Sequence, residues 1–185
     1  MRCATRALTA LSALVVLSGI PAAPRATADD HEVPATKLRI GGKARGGKII
    51  AAGFFEPTEH EGSPTCSPTT IVFSGRWPKP LKVPAKRYRA KIVLSTSRMP
   101  ESVQVERRVY TYPPPMPGAA IEGKPIPHKL VPVDVGGVTV RYLVRFRVRV
   151  PRKTLYVQLA VVWPDEDHCE GDFARYGWVL RAKGA

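Results

Sequence analysis

Prolines are distributed along almost the whole chain, and they limit what it can fold into. Seventeen of the 19 prolines follow residue 28, and they recur from Pro34 to Pro164. A proline inside a helix removes a backbone donor and collides with the preceding turn, so a long helix is disfavoured wherever one occurs. The sequence therefore predicts an all-β fold in which helix is a minor element.

Eight short segments have the residue types and the flanking turn signals that are typical of strands. Segments 76–80 and 112–118 are rich in proline and predict extended loops, whereas residues 29–45 are polar and are expected to be poorly ordered. We expect one domain over residues 46–185, with eight strands that favour a sandwich or a barrel. The predicted strands are residues 47–55, 69–74, 86–95, 103–112, 129–135, 138–150, 154–163 and 173–182.

In the C-terminal half, Gly136-Gly137 predicts a two-residue hairpin turn. Such a turn determines which residues face each other across the two strands. Val135 is then expected opposite Val138, and Val131 opposite Tyr142. All these residues are apolar, which indicates that this face of the hairpin is buried.

A second turn at Arg152-Lys153 extends the pairing to a third strand, with Tyr142 opposite Trp163. The same face remains apolar in all three strands. Since a slip of one residue would turn every side chain to the other face, this agreement favours one register. The sequence predicts a three-stranded meander over residues 129–163.

Residues 1–28 have the organisation of a Sec-type signal peptide. Arg2 and Arg6 precede an apolar run over residues 7–20, and small residues lead to Ala28. The run is shorter than the roughly 20 residues of a membrane-spanning helix, and no later apolar run reaches that length. The sequence predicts an exported protein, secreted or periplasmic, without a transmembrane segment.

Two cysteines, Cys66 and Cys169, follow the predicted signal peptide. Cysteines of exported proteins commonly pair because the compartment outside the cytoplasmic membrane is oxidising. On the chain-entropy model, closing a loop of roughly 100 residues stabilises the fold by about 4–5 kcal/mol. The sequence predicts a Cys66–Cys169 disulfide.

The chain is strongly basic. Residues 1–28 contain three of its 29 Lys and Arg residues and none of its 15 acids, so 26 basic and 15 acidic side chains follow, a net charge of +11. This charge favours anionic partners. It is also compatible with a charge excess that serves solubility alone.

Four arginines alternate along the outer face of the central meander strand, with Tyr156 expected beside them on the next strand. Guanidinium groups two residues apart lie about 7 Å from each other, which suits successive phosphates, sulfates or carboxylates. The alternative is a solvated face on which arginine stems cover apolar neighbours. The predicted anion-binding residues are Arg141, Arg145, Arg147, Arg149 and Tyr156. An anionic envelope polymer or a protein is the expected partner, and nucleic acid is not, because no aromatic pair interleaves the arginines.

Eight of the 15 carboxylates lie in two segments, one that precedes Cys66 and one that surrounds Cys169. The predicted disulfide would bring both segments to one end of the sandwich. Dense carboxylates suit Ca²⁺, whereas two histidines with a carboxylate suit Zn²⁺ or Cu²⁺. The spacing lacks the glycine and terminal glutamate of a calcium loop, and two solvated acidic loops are the alternative. The candidate ligands are His60, Asp165, Asp167, His168, Glu170 and Asp172.

No sequence motif for catalysis is present, and Ser63 and Ser67 lack the Gly-x-Ser-x-Gly setting of a hydrolase nucleophile. Two carboxylates such as Glu59 and Asp167 would suffice for glycoside hydrolysis if they were held about 5–10 Å apart. Hydrolase is therefore the third hypothesis, and we expect no enzyme activity, no catalytic residue and no required cofactor.

These observations together favour an antiparallel β-sandwich that resembles immunoglobulin and fibronectin type III domains in architecture. We expect its two sheets to be joined by one disulfide, with a tryptophan in the core. Asp167 stands where immunoglobulin domains have a tyrosine, two residues before the second cysteine. The expected function is a non-catalytic exported binding or surface-interaction domain, and the alternative is a divalent-metal-binding domain.

Overall fold

The chain forms twelve β-strands and no helix in the residues that the computed structural model describes, namely 33–60, 63–73, 78–110, 123–164 and 171–184. For residues 55–60, 63–73 and 110 the backbone alone is described. The strands are β1 (Ala35–Ile40), β2 (Lys43–Gly46), β3 (Lys48–His60), β4 (Ser63–Phe73), β5 (Leu81–Val83), β6 (Arg87–Ser95), β7 (Ser102–Tyr110), β8 (Lys124–Pro125), β9 (His128–Val135), β10 (Val138–Arg149), β11 (Thr154–Val162) and β12 (Phe173–Ala182).

The strands form two sheets. The smaller sheet has the order β2-β1-β6-β10-β9, and the larger sheet has the order β4-β3-β12-β11-β7-β8. The short strand β5 lies parallel to the end of β12, whereas the other pairings between described strands are antiparallel. The all-β, sandwich-like fold expected from the sequence is therefore confirmed. In the described part of the chain, no helix is of a length and hydropathy that would cross a membrane.

One hydrophobic core lies between the sheets. Every second residue of β10 and β6 faces it, among them Val144 and Ile92, because side chains alternate along a strand. The larger sheet contributes Leu159 and Trp178 from β11 and β12, and Trp163 follows β11; all three are buried. The expectation that Trp163 lies on the buried side is confirmed.

Gly47 is the single residue between β2 of the smaller sheet and β3 of the larger sheet. A Cβ atom at this position would lie 2.7 Å from the Trp178 ring. Its amide donates to the carbonyl of Thr36 at 2.8 Å. The chain therefore crosses between the sheets at a place where a side chain does not fit, which explains the glycine.

Each of the eight strands predicted from the sequence overlaps one observed strand. The expectation that residues 29–45 are poorly ordered is wrong for β1 and β2. Basic and apolar residues alternate in β1, and Leu38 and Ile40 are buried in the core. The polar residues of this segment are the solvent-facing half of a strand.

The predicted meander over residues 129–163 is wrong in its third strand. The hairpin of β9 and β10 is present, but β10 has β6 as its second neighbour, and β11 belongs to the larger sheet. A strand has two edges, and both edges of β10 are occupied. The Arg152-Lys153 segment is therefore part of a crossover between sheets rather than a hairpin turn.

The register of the β9–β10 hairpin also differs from the expected one after its first pair. Val135 lies opposite Val138 as predicted, but a bulge at Val140 then places Val131 opposite Leu143 instead of Tyr142. One extra residue in β10 turns the alternate residues of β9 to the other face of the sheet. The valines of β9, expected in the core, consequently lie on the outer face.

The predicted signal peptide lies outside the described residues, and so does the predicted disulfide. Cys66 lies in β4 with its backbone opposite Pro57, and its side chain is not described. Cys169 lies between β11 and β12 in the chain. The predicted Cys66–Cys169 bond therefore remains a prediction.

Candidate anion-binding face

The outer face of the smaller sheet, the side turned away from the core, carries ten exposed basic residues. Basic and apolar residues alternate in β6 from Arg87 to Ile92 and in β10 from Arg145 to Val150. With a period of two, the apolar residues enter the core and the basic residues point to solvent. We call this group the cationic face: Lys37, Arg39, Arg87, Arg89, Lys91, Lys129, Arg141, Arg145, Arg147 and Arg149.

The register of the strands aligns these residues in rows. Arg145 pairs with Lys91 on one side and with Lys129 on the other, and Lys91 pairs in turn with Arg39. This first row therefore spans four strands, which lie about 4.8 Å apart.

Two further rows follow at intervals of about 7 Å along the strands. Arg89 lies opposite Arg147 in the second row, and Arg87 lies opposite Arg149 in the third. The result is a two-dimensional array of cations rather than the single row of arginines expected from β10.

The array lines an open groove of about 1090 Å³. The turn between β1 and β2 borders one side, and residues 127–129 border the other side. Four side chains of β6 and β10 lie between these borders: Arg89, Lys91, Arg145 and Arg147. Each has several donors, so a bound anionic group would meet more than one of them.

Carboxylates are nearly absent from the smaller sheet. Its five strands contain twelve Lys and Arg residues and a single acid, Asp134. Asp134 accepts a hydrogen bond from the Thr139 hydroxyl at 2.6 Å, at the far end of the β9–β10 hairpin. The ion pair between described residues, Arg98 with Asp172, lies outside the cationic face. No described carboxylate therefore neutralises the charge of this face.

Beyond the row of Lys129 and Arg145 the outer face is largely apolar, with Lys37 opposite Val93 and Arg141 opposite Val133 as its charged members. The row next to Lys129 and Arg145 contains Val131, Leu143 and Val93, which are half-buried, and ends at the exposed Lys37. The hairpin then continues with valines that are largely exposed, up to the Gly136-Gly137 turn. We call this group the apolar end: Val93, Val131, Val133, Val135, Val138, Val140 and Leu143.

The predicted anion-binding residues do not all lie together. Arg141, Arg145, Arg147 and Arg149 lie exposed on the outer face of β10, but Tyr156 lies in the larger sheet. Tyr156 is opposite Val179 and Arg108 and is only 2% exposed. The expectation that Tyr156 stands beside the arginines is wrong, because it depended on the pairing of β10 with β11.

Sequence reasoning missed the basic residues of the neighbouring strands. The signal was present in β6, where Arg87, Arg89 and Lys91 alternate with apolar residues as the arginines of β10 do. What the alternation did not indicate is that β6 and β10 are neighbours.

The predicted metal site falls mostly outside the described part of the chain. Residues 165–170 are not described, and neither are the side chains of His60 and Glu59. Asp172 is described and buried. Its carboxylate forms a hydrogen-bonded salt bridge with the guanidinium of Arg98. Arg98 also donates to the carbonyl of Pro164 at 2.9 Å. In the described ranges, no group of three or more His, Cys, Asp or Glu residues is placed to hold a metal ion.

Asp172 therefore has a structural partner. Asp172 directly precedes β12 of the larger sheet, and Arg98 follows β6 of the smaller sheet. Their ion pair therefore links the two sheets. A carboxylate whose charge is already balanced by a guanidinium has less to gain from a cation.

Comparison with known proteins adds no further assignment: no protein-family model, no curated protein and no solved structure matches this chain.

Proposed function

We propose that this protein is an exported, non-catalytic binding domain that uses its cationic face to bind an anionic partner. The observation that carries the proposal is the array of eight exposed cations in three aligned rows, the first of which spans four strands, on a face with no described carboxylate. The partner class that suits such an array is a polymer or surface with repeated phosphate, sulfate or carboxylate groups.

The energetics of the array support this reading. Like charges on neighbouring strands repel each other and reduce the stability of the sheet. A bound polyanion reverses the sign of that contribution, because each anionic group then lies between cations. Guanidinium forks also bind phosphate and carboxylate through two parallel hydrogen bonds, and most members of the array are arginines.

The predicted signal peptide and disulfide belong to the same proposal. Outside the cytoplasmic membrane, anionic polysaccharides of the cell envelope present repeated charged groups to such a face. We also propose the immunoglobulin or fibronectin type III character of the sandwich, for which the support is two opposed sheets with Trp163 and Trp178 buried between them.

Titration with a soluble polyanion tests the proposal. We expect the protein to bind dextran sulfate but not neutral dextran, with an affinity that falls steeply as salt is raised, because salt screens each contact. The variant Arg89→Ser/Arg145→Ser/Arg147→Ser should lose at least about a hundredfold in affinity, since each of the three charged hydrogen bonds contributes roughly 1 kcal/mol or more.

A matched control removes three positive charges from the larger sheet. Arg175, Arg181 and Lys82 are exposed there, and their replacement by serine changes the net charge by the same amount. We expect this control to reduce affinity only slightly. An equal loss in both variants would show that net charge rather than the array is responsible, and salt-insensitive binding or no binding would refute the proposal.

A further inference from the structure

The three cationic rows and the apolar end are adjacent on the outer face of the smaller sheet. The row that contains Arg145 and Lys129 is cationic. The adjacent row, about 7 Å further along the strands, contains Val131, Leu143 and Val93 and ends at Lys37 in β1. Arg141 lies one row further, opposite Val133. A hydrophilic polyanion would contact the first row and leave the second row in water.

The apolar end continues to the hairpin turn, where its side chains are most exposed. Val135 and Val138 are each 62% exposed, and Val140 is 42% exposed. These are three of the five large exposed hydrophobic residues in the described part of the chain. Their concentration in one hairpin is unusual for a surface that contacts only water.

The hairpin is held in a defined shape. Gly136 and Gly137 have φ values of 61° and 83°, which other residues rarely adopt and which give the turn the twist of the strands. The Thr139 hydroxyl donates to Asp134 across the hairpin. The valines thus lie at the end of a two-stranded hairpin that extends beyond the residues of β10 that pair with β6.

We infer that the partner of the cationic face is a lipid bilayer with anionic headgroups, and that the valine-bearing hairpin enters its interfacial layer. This inference rests on the proposed function. A bilayer has a charged layer directly above an apolar layer, and its headgroup region is about 5–8 Å thick on each side. That thickness matches the distance of about 7 Å between the cationic row and the first apolar row.

Complementarity of charge supports a bilayer over an apolar protein surface. Basic residues near an anionic membrane are attracted additively, and exposed apolar side chains at the membrane interface add to this attraction. Asp134 is the described carboxylate nearest to the hairpin tip. It lies between Val133 and Val135 in β9 and pairs with Thr139, so its side chain is on the opposite face of the hairpin from these valines.

Vesicle co-sedimentation of the purified protein tests the inference. The probes are vesicles of phosphatidylglycerol and phosphatidylcholine, vesicles of phosphatidylcholine alone, and dextran sulfate in solution. We expect the protein to bind the vesicles that contain phosphatidylglycerol at least tenfold more tightly than the vesicles of phosphatidylcholine alone. The variant Val135→Ser/Val138→Ser should lose at least tenfold in affinity for these vesicles and retain its affinity for dextran sulfate within twofold.

The control variant Val109→Ser/Met99→Ser replaces two other exposed hydrophobic residues. We expect it to bind vesicles as the unaltered protein does. All four substituted side chains are largely exposed, so the thermal melting of both variants should confirm that they fold.

A fluorescent reporter tests the insertion itself. The variant Val138→Trp should gain a blue-shifted emission on anionic vesicles, and lipids brominated in their acyl chains should quench it. The chain already contains three tryptophans, of which Trp163 and Trp178 are buried, so the emission of the unaltered protein with the same vesicles is the background to subtract.

The possible outcomes separate the two proposals. If the protein binds dextran sulfate but the valine substitutions leave vesicle binding unchanged, or anionic vesicles are bound no better than neutral ones, the bilayer inference is overturned and the polyanion proposal stands. If the protein binds neither dextran sulfate nor anionic vesicles, both fail. If the protein is a dimer by light scattering and the valine substitutions make it a monomer, a second copy of the chain covers the apolar end, and the bilayer inference is likewise overturned.

Discussion

The outer faces of the two sheets differ in what covers them. On the smaller sheet the outer face is exposed and basic, whereas the centre of the outer face of the larger sheet is buried. There, Tyr156, Val179 and Ile50 form a second hydrophobic cluster, separate from the main core. Among the described residues, the larger sheet is thus stabilised from both sides and the smaller sheet from one side.

Charge follows the same division. Strands of the larger sheet contain both signs, with Glu106 beside Arg107 and Arg108 in β7. In the strands of the smaller sheet, by contrast, the charged residues are basic with the single exception of Asp134. The comparison indicates that the segregation of charge, more than its total, distinguishes the candidate binding face.

Matched substitutions at outward positions of the two sheets should give the largest difference. Tyr156→Ala removes a buried ring from the larger sheet, and we expect a loss of about 3 kcal/mol in the free energy of unfolding. Arg147→Ala removes an exposed side chain from the smaller sheet and should change that free energy by less than about 0.5 kcal/mol. Urea denaturation of both variants measures the difference, and equal losses would contradict the contrast between the faces.

The next largest effect on stability is expected at Gly47, where the chain passes from the smaller sheet to the larger sheet. Gly47→Ala places a Cβ atom against the Trp178 ring, and we expect a loss of about 2 kcal/mol from overpacking. Gly46→Ala is the control, because the nearest atom to its Cβ would be 3.8 Å away. Thermal melts of the two variants should differ by several degrees, and similar melting temperatures would mean that the crossing is more plastic than its geometry suggests.

A smaller effect on stability is expected at the hydrogen bond between Tyr176 of the larger sheet and the residue that precedes β1 of the smaller sheet. The Tyr176 hydroxyl donates to the carbonyl of Pro34, just before β1, at 2.7 Å. Tyr176→Phe removes this bond and should cost about 1 kcal/mol at pH 7.

The same residue predicts how stability responds to alkaline pH. Burial raises the pKa of the Tyr176 phenol well above its usual value. The folded state therefore keeps a proton that the unfolded state loses above about pH 10, so this contribution to stability is present below pH 10 and is lost as pH rises further. Burial raises the pKa of Tyr88 in the same direction. Tyr176→Phe should consequently weaken, without abolishing, the decline in unfolding free energy between pH 9 and 11; an unchanged decline would assign it to other groups.

The smallest effect concerns repulsion within the cationic face. Arg145 has Lys91 on one neighbouring strand and Lys129 on the other. Arg145→Gln should raise the melting temperature by about 1 °C at low ionic strength, because it removes two repulsive neighbours. The gain should vanish in 0.5 M salt. A lower melting temperature at both salt concentrations would indicate that the arginine stem contributes more through packing than its charge costs.

Local alternation in the sequence was sufficient to predict eight of the twelve described strands and the inward residues of β10 that follow its bulge. The inward set of β10, for example Val144 and Val148, is buried as its period of two requires. The same pattern in β1 was overlooked because lysine and arginine made the segment look polar.

The alternation of residues along a strand did not predict which strands are neighbours in a sheet. An apolar face is satisfied equally by any partner that covers it, so the match between β10 and β11 was consistent with a meander and did not establish one. The bulge at Val140 is likewise invisible to a count of alternating residues. It is the reason that the apolar end lies on the outer face.

Tyr156 illustrates a further limit. Its position in β11 points away from the core, as the alternation predicts, yet it is buried. Outward and exposed are different properties when a sheet is covered on both sides. The candidate site was therefore predicted in its arginines of β10 and missed in the strands that complete it.

The spacing of the cationic face has a consequence for the rate at which a partner is found. Neighbouring charges lie about 5–7 Å apart, which is less than the screening length of about 8 Å at physiological ionic strength. The eight charges of its three rows therefore act on an approaching body as one extended positive field. Such fields accelerate association by factors of about 10 to 1,000 and orient the encounter. A negatively charged partner would thus meet this protein with the smaller sheet foremost, before any individual hydrogen bond is formed.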